Sequence, residues 1–146
     1  MAADRTAEVT WEGNLAQGNG RIDLKSSGLA TAMPVTWASR TEQPGGKTSP
    51  EELLAAAHAS CFAMALSHEL AGAGHPPERL DVRATATFDK VGEGFRVTAM
   101  RLYVRGRVPG ADAAAFLRAA NAAKEGCPIS RALAGNVDIA LEATLE

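Results

Sequence analysis

Short stretches of alternating apolar and polar residues open the chain. Val9 to Trp11, Arg21 to Leu24 and Leu29 to Trp37 are separated by Gly13-Asn14, Gly18-Asn19-Gly20 and Ser26-Ser27-Gly28. Extended segments punctuated by turn residues predict a β-meander. At Thr48 the period changes. Ser49 is placed to be an N-cap, Pro50 the first helical residue and Glu52 the third-position partner of a capping box, so a helix is predicted from Pro50 to about Ala71, before Gly72 and Gly74. Its middle carries Ala, Leu, Met and Phe on nearly every side, which predicts a helix buried all round.

Beyond it, Leu80, Val82, Ala84, Ala86 and Phe88 alternate with Asp81, Arg83, Thr85, Thr87 and Asp89, the pattern of a half-buried strand. Gly92-Glu93-Gly94 turns the chain into a second strand reaching Val108, and its alternation slips phase between Ala99 and Met100, as at a β-bulge. Pro109-Gly110 ends that strand. Asp112 is placed to cap a helix over Ala113 to Glu125, a short helix follows Pro128, and a last strand turns Val137, Ile139, Leu141, Ala143 and Leu145 inward. Strands grouped before and after helices make this an α+β chain, read as a single domain over residues 1–146.

Composition narrows the function. With 146 residues and 46% hydrophobic content the chain can bury a core without covalent staples. A net charge of −2 leaves no basic footprint for nucleic acid. The first residues hold no apolar stretch of a secretory leader, and no uninterrupted apolar run approaches the ~18 residues that span a bilayer. These features predict a cytoplasmic protein without membrane or nucleic-acid partners. In a reducing compartment, Cys61 and Cys127 are either inert core thiols or a redox pair.

The surroundings of the two cysteines differ. Cys61 lies inside the Ala-rich helical run Leu53 to Leu66, where a small buried thiol is the bland expectation. Cys127 lies in Gly126-Cys127-Pro128, where glycine closes one helix and proline opens the next. An N-cap thiol there would face the positive end of a helix dipole, which favours its thiolate. Taken singly, Arg40 reads as a solvated loop cation and Glu51 as an acid complementing the dipole in the first turn. His58, His68, His75 and the two distant cysteines show no zinc-ligand spacing, and no cofactor motif is present.

Several segments together resemble one family. Trp11-Glu12-Gly13 with Gly18-x-Gly20, Ser49-Pro50-Glu51-Glu52-Leu53 followed by Ala56 to Phe62, Phe88-Asp89-Lys90-Val91, Val108-Pro109-Gly110 and Gly126-Cys127-Pro128-Ile129-Ser130 are similar in order and spacing to the osmotically inducible protein C and organic hydroperoxide resistance (OsmC/Ohr) proteins. The wording around Cys61 and Cys127 resembles the OsmC branch. The resemblance implies an intertwined homodimer, with central buried helices covered by antiparallel β-sheets. It also implies a thiol peroxidase of oxidative and osmotic stress defence that reduces organic hydroperoxides, with hydrogen peroxide left open as a further substrate. In that reading Cys61 is the peroxidatic thiol, Cys127 the resolving one, and Arg40 and Glu51 are polar partners. A dithiol, either a lipoylated protein or a thioredoxin system, is the implied reductant.

Chemistry supplies a reason for each role. A Cys61 thiolate would attack a peroxide oxygen and become a sulfenic acid, which Cys127 would capture as a disulfide. An ordinary thiol is already partly ionised near neutral pH, so full ionisation gains only on the order of tenfold. Positioning and the charge of Arg40, held by Glu51, must supply more. Glu51 and Cys61 are ten helical positions apart, about 15 Å of rise, so a Glu51 close to Cys61 implies a second chain. Two rival readings stay open. His58, three residues before Cys61, makes a Cys-His hydrolase or acyltransferase conceivable, and a non-enzymatic small-molecule binding module would need neither thiol.

Overall fold

The computed structural model describes residues 1–146. Two compact units, Met1–Leu53 and Leu54–Glu146, account for the chain.

In the first unit, β1 (Ala7–Glu12), β2 (Asn19–Leu24) and β3 (Met33–Val35) form an antiparallel sheet in the order β1-β2-β3, the predicted meander. Gly20 pairs with Trp11 on one side and Val35 on the other. A Cβ on Gly20 would stand 2.7 Å from Val35 Cγ1 and 2.9 Å from Trp11 Cε3, so the bare backbone is what lets both side chains close over β2. The third extended segment is shorter than predicted: Ala32 takes a left-handed φ of 55° just before it, and Thr36 begins a helix just after it. Its hydroxyl accepts from the Ser39 N–H, and the Ser39 hydroxyl accepts from the Thr36 N–H. This reciprocal cap sets off α1 (Trp37–Thr41), which carries Arg40 in a helical turn instead of the predicted loop.

The long helix α2 runs Pro50–Gly72. Ser49 Oγ accepts from the Glu52 N–H as expected, but the Glu52 carboxylate takes the Thr48 hydroxyl at 2.7 Å, so only half of the capping box forms. Its 23 residues include a window of mean hydropathy 1.2, long and apolar enough to cross a membrane by length and composition. The all-round burial predicted for it is not met within one chain. His58, Phe62, Leu66 and Leu70, four residues apart, are buried, whereas Ala56, Ser60 and Met64 are exposed, Met64 at 68%.

The second unit contains β4 (Arg79–Val91), β5 (Gly94–Arg107), α3 (Ala113–Gly126), α4 (Pro128–Leu133) and β6 (Asp138–Leu145). β4 and β5 form the predicted hairpin; Thr87 pairs with Ala99 and Phe88 with Val97, which places the extra bulge residue at Thr98, just before the predicted slip. β6 lies beside β5 and parallel to it, so this sheet is mixed and not antiparallel as expected. The reason is the connection: α3 and α4 carry the chain back to the starting end of β5, as a helical crossover does for parallel strands. Asp112 caps α3 through the Ala115 N–H at 2.8 Å. Phe62, Leu66 and Leu70 share one core with Leu102, Val104, Val108, Phe116 and Ala120. Gly106 makes room there, since its Cβ would stand 2.6 Å from the Phe116 ring.

Candidate active site

Two pairs of the predicted residues are assembled, each within its own unit. In the first unit Glu51, in the opening turn of α2, is 7% exposed, and it receives the guanidinium of Arg40. Arg40 Nε donates to both carboxylate oxygens at 3.0 and 3.1 Å, and Nη2 donates to Oε1 at 2.8 Å. Such a fork fixes the guanidinium plane as a lysine could not. Trp37, three residues earlier on α1, lies with its ring centroid 5.9 Å from the Arg40 guanidinium carbon, within cation–π range. The guanidinium borders a cleft of about 220 Å³ whose walls include Val9, Trp11, Ile22, Val35 and Trp37. One cation in an otherwise apolar cleft suits a ligand with a polar head and a greasy body.

In the second unit the 66 positions between the cysteines are closed by the fold. Cys61 Sγ and Cys127 Sγ lie 2.8 Å apart in a thiol–thiol hydrogen bond that either can donate, and both thiols are free. That separation exceeds the ~2.05 Å of a disulfide, yet it is short enough for one to form by side-chain movement. Cys127 is fully buried and Cys61 half-buried, so Cys61 is the more accessible sulphur. Burial above all, then the adjoining Cys127 thiol, hold Cys61 above the ordinary range of a thiol; the backbone N–H of Ile129 pulls it down. A less hydrated thiolate is costlier to form, and a Cys127 sulphur that accepts the Cys61 S–H favours the neutral thiol. Cys127 is the residue before Pro128 and N-cap of α4, as read from the sequence, but its thiol makes no capping hydrogen bond to that helix; only its carbonyl does, accepting from the Arg131 N–H at 3.0 Å. The N–H from the first turn of α4 serves Cys61 instead.

His58 is fully buried, and its Nε2 lies 2.7 Å from Ser130 Oγ on α4. Its Nδ1 has no partner. Burial lowers its pKa and favours the neutral ring. Cys61 finds its polar neighbours in Cys127 and Ile129, so the Cys-His reading lacks the hydrogen bond between base and nucleophile on which it depends. No group of three or more His, Cys, Asp and Glu side chains is assembled that could hold a metal ion.

Sequence reasoning assigned no role to Trp37 or Ser130. Each had a usable signal. Trp37 precedes Arg40 by three residues, and Ser130 follows Cys127 by the same three that separate His58 from Cys61, the spacing of one helix face.

Comparison with known proteins adds an independent line. The family model described as OsmC-like protein matches residues 43–142. Peroxiredoxin OsmC of Escherichia coli is 38% identical over 139 residues, covering 95% of this chain and 96% of that protein. The organic hydroperoxide resistance protein OhrB of Bacillus subtilis is 33% identical over 138 residues, covering 94% and 96%. The crystal structure of that OhrB superposes with a TM-score of 0.75 at 29% identity, covering 95% of this chain and 98% of the other. An OsmC-like protein from Mycoplasma pneumoniae reaches the same TM-score at 13% identity, covering 99% of each chain, a likeness of fold alone.

Proposed function

This chain belongs to the OsmC-like protein family, with the α+β fold of OsmC and Ohr proteins and a peroxide-related redox role, and from that membership we infer that it is a thiol peroxidase for organic hydroperoxides. The observation that carries the reading is the 2.8 Å approach of two free thiols 66 residues apart. A binding module would need no such approach, and a hydrolase would not need Cys127.

The reaction has two steps. The Cys61 thiolate attacks the terminal oxygen of ROOH, an S–O bond forms as O–O breaks, and the departing alkoxide takes a proton to leave as alcohol. The Cys127 thiol then attacks the sulfenic sulphur, S–S forms, and the hydroxyl leaves as water. A dithiol, from a lipoylated protein or a thioredoxin system, returns both thiols; the cycle requires no metal or organic cofactor.

Because Cys61 lies in a site that raises its pKa, charge must be brought to the peroxide to make the attack fast. Arg40 is that charge, aimed by Glu51, and it acts where negative charge develops on the breaking O–O bond. The apolar cleft beside Arg40 favours organic hydroperoxides over hydrogen peroxide. The enzyme works as an intertwined homodimer in the cytoplasm, the two units of each chain forming a single OsmC-like domain. The exposed Ala56, Ala57 and Met64 of α2 support a second copy, since apolar side chains of a long helix left in water are unfavourable. In the dimer, Glu51 of one chain serves Cys61 of the other.

The test is the mass of the fully reduced protein before and after one equivalent of cumene hydroperoxide, with thiols counted. Loss of both thiols and two hydrogens per chain, with one equivalent of alcohol released, supports the peroxidase. Retention of both thiols overturns it.

A further inference from the structure

Two hydrogen bonds that join α2 to α4 and to Cys127, the residue before α4, form a ladder. His58 meets Ser130 at 2.7 Å and Cys61 meets Cys127 at 2.8 Å. Three residues separate the rungs on each side, and their order is reversed, so the segment Cys127 to Ser130 runs antiparallel to α2. His58 and Ser130 are 0% and 3% exposed. The Ser130 hydroxyl is the one polar partner of the imidazole, whose other nitrogen is unpartnered. A buried polar ring retained for one hydrogen bond marks that bond as structurally demanding.

α4 has six residues, too few to hold its position by helix formation alone. Cys127 precedes it, so the placement of its sulphur depends on where the first turn of α4 is held. We propose that the buried His58–Ser130 hydrogen bond is the clasp that positions Cys127 over Cys61, making His58 and Ser130 the residues that govern disulfide closure and not the attack on peroxide. This rests on the thiol-peroxidase reading. It assigns the two residues to its second step, in which Cys127 sulphur bonds to Cys61 sulphur and water departs. With the clasp in place, Cys127 captures the sulfenic acid before a second peroxide oxidises it to sulfinic acid. With the clasp gone, α4 drifts, closure slows, and the peroxide competes.

The clasp is tested with Ser130→Ala and His58→Leu, which remove it, and with Ser130→Thr and His58→Gln, which keep a hydroxyl or an amide at the position of the lost atom. The first readout is the disulfide equilibrium with glutathione, which needs no peroxide. Ser130→Ala and His58→Leu are expected to lower the effective concentration of one thiol at the other about tenfold, the scale of one neutral hydrogen bond. Ser130→Thr and His58→Gln are expected to stay within about twofold of the wild type. The second readout is single-turnover reaction with cumene hydroperoxide. The first oxidation of Cys61 should stay within about twofold in all four, while the sulfinic fraction, read by mass at excess peroxide, rises in the two clasp-less variants alone. An unchanged glutathione equilibrium and sulfinic fraction in Ser130→Ala would overturn the proposal. So would a first oxidation that slows in step with closure. If Ser130→Ala does not fold, a tenfold loss in the folded His58→Gln protein overturns it equally. A wild type that consumes no peroxide, but whose glutathione equilibrium still shifts in Ser130→Ala, keeps the clasp and removes the peroxidase.

Discussion

Replacing Glu51 by glutamine tests whether a buried carboxylate works through the arginine it holds. The substitution keeps the shape and removes the charge. Of the three N–H···O contacts between Arg40 and Glu51, at 2.8, 3.0 and 3.1 Å, at least one becomes a meeting of two N–H donors when one oxygen is replaced by NH₂. A hydrogen bond to a charged group contributes about 1.5–3 kcal/mol, or roughly tenfold to a hundredfold in rate if it acts wholly in the transition state. The Arg40 side chain is 30% exposed and the Glu51 side chain 9%, so water softens the loss. The expectation for Glu51→Gln is therefore about a tenfold fall in kcat/KM. Arg40→Ala removes the charge itself and should cost about a hundredfold to a thousandfold, the scale of losing one donor to a developing anion. Arg40→Lys should fall between them, since one ammonium cannot reproduce the fork or the stacking on Trp37. The assay is consumption of cumene hydroperoxide with a dithiol reductant in excess, with melting temperatures measured alongside to separate activity from folding. If Arg40→Ala kept activity within about threefold of wild type while Cys61→Ser abolished it, Arg40 would have no place in the mechanism.

Cys61→Ser is expected to consume no peroxide, while Cys127→Ser reacts once and accumulates oxidised Cys61; multiple turnover by Cys61→Ser with a dithiol would reverse the assignment. His58 has a pKa lowered by burial, so the unfolded chain binds its proton at the higher pH; the fold keeps that stability above about pH 6.5 and loses it, by at most ~1.4 kcal/mol per pH unit, as pH falls toward the folded value. Urea unfolding between pH 7 and pH 5 should show this slope in the wild type and a smaller one in His58→Gln; equal slopes would remove His58 from the acid response. Gly106→Ala would set a methyl 2.6 Å from the Phe116 ring and 3.2 Å from Leu80 Cδ2, so it should destabilise by about 1–3 kcal/mol, with Gly106→Ala/Phe116→Leu recovering part of the loss; an unchanged melting temperature would mean that this core yields freely. Coexpression of a Cys61→Ser chain with a Glu51→Ala chain should restore about half of the sites in the purified heterodimer, each such site joining the intact Cys61 of one chain to the intact Glu51 of the other, and activity no higher than either parent would assign Glu51 to its own chain.

Local chemistry made much of this protein legible in its sequence. The Ser49 and Pro50 start of α2, the Asp112 cap of α3, the glycine turns of both sheets and the alternation of β4 act within a few residues, so reading neighbours was enough. The motif match pointed to Cys61 and Cys127 before any coordinates, because a family signature carries tertiary information that spacing alone does not. What the sequence left open were relations between distant segments. The parallel pairing of β6 with β5 depends on a crossover path and not on the alternation of β6. Alternation looks the same in either direction. Arg40 read as a loop cation because the cap that makes α1 needs Thr36 and Ser39 to answer each other, and its pairing with Glu51 spans two elements. The spacing of Ser130 from Cys127 marked a helix face but named no partner; only the packing of α4 on α2 put its hydroxyl against a buried imidazole. The same packing decided that the first turn of α4 turns an N–H toward Cys61 and not toward Cys127. Helices and turns follow from short-range forces written residue by residue, whereas the ionisation and partnership of a thiol depend on burial and on groups brought close from elsewhere in the chain, which only the folded backbone determines.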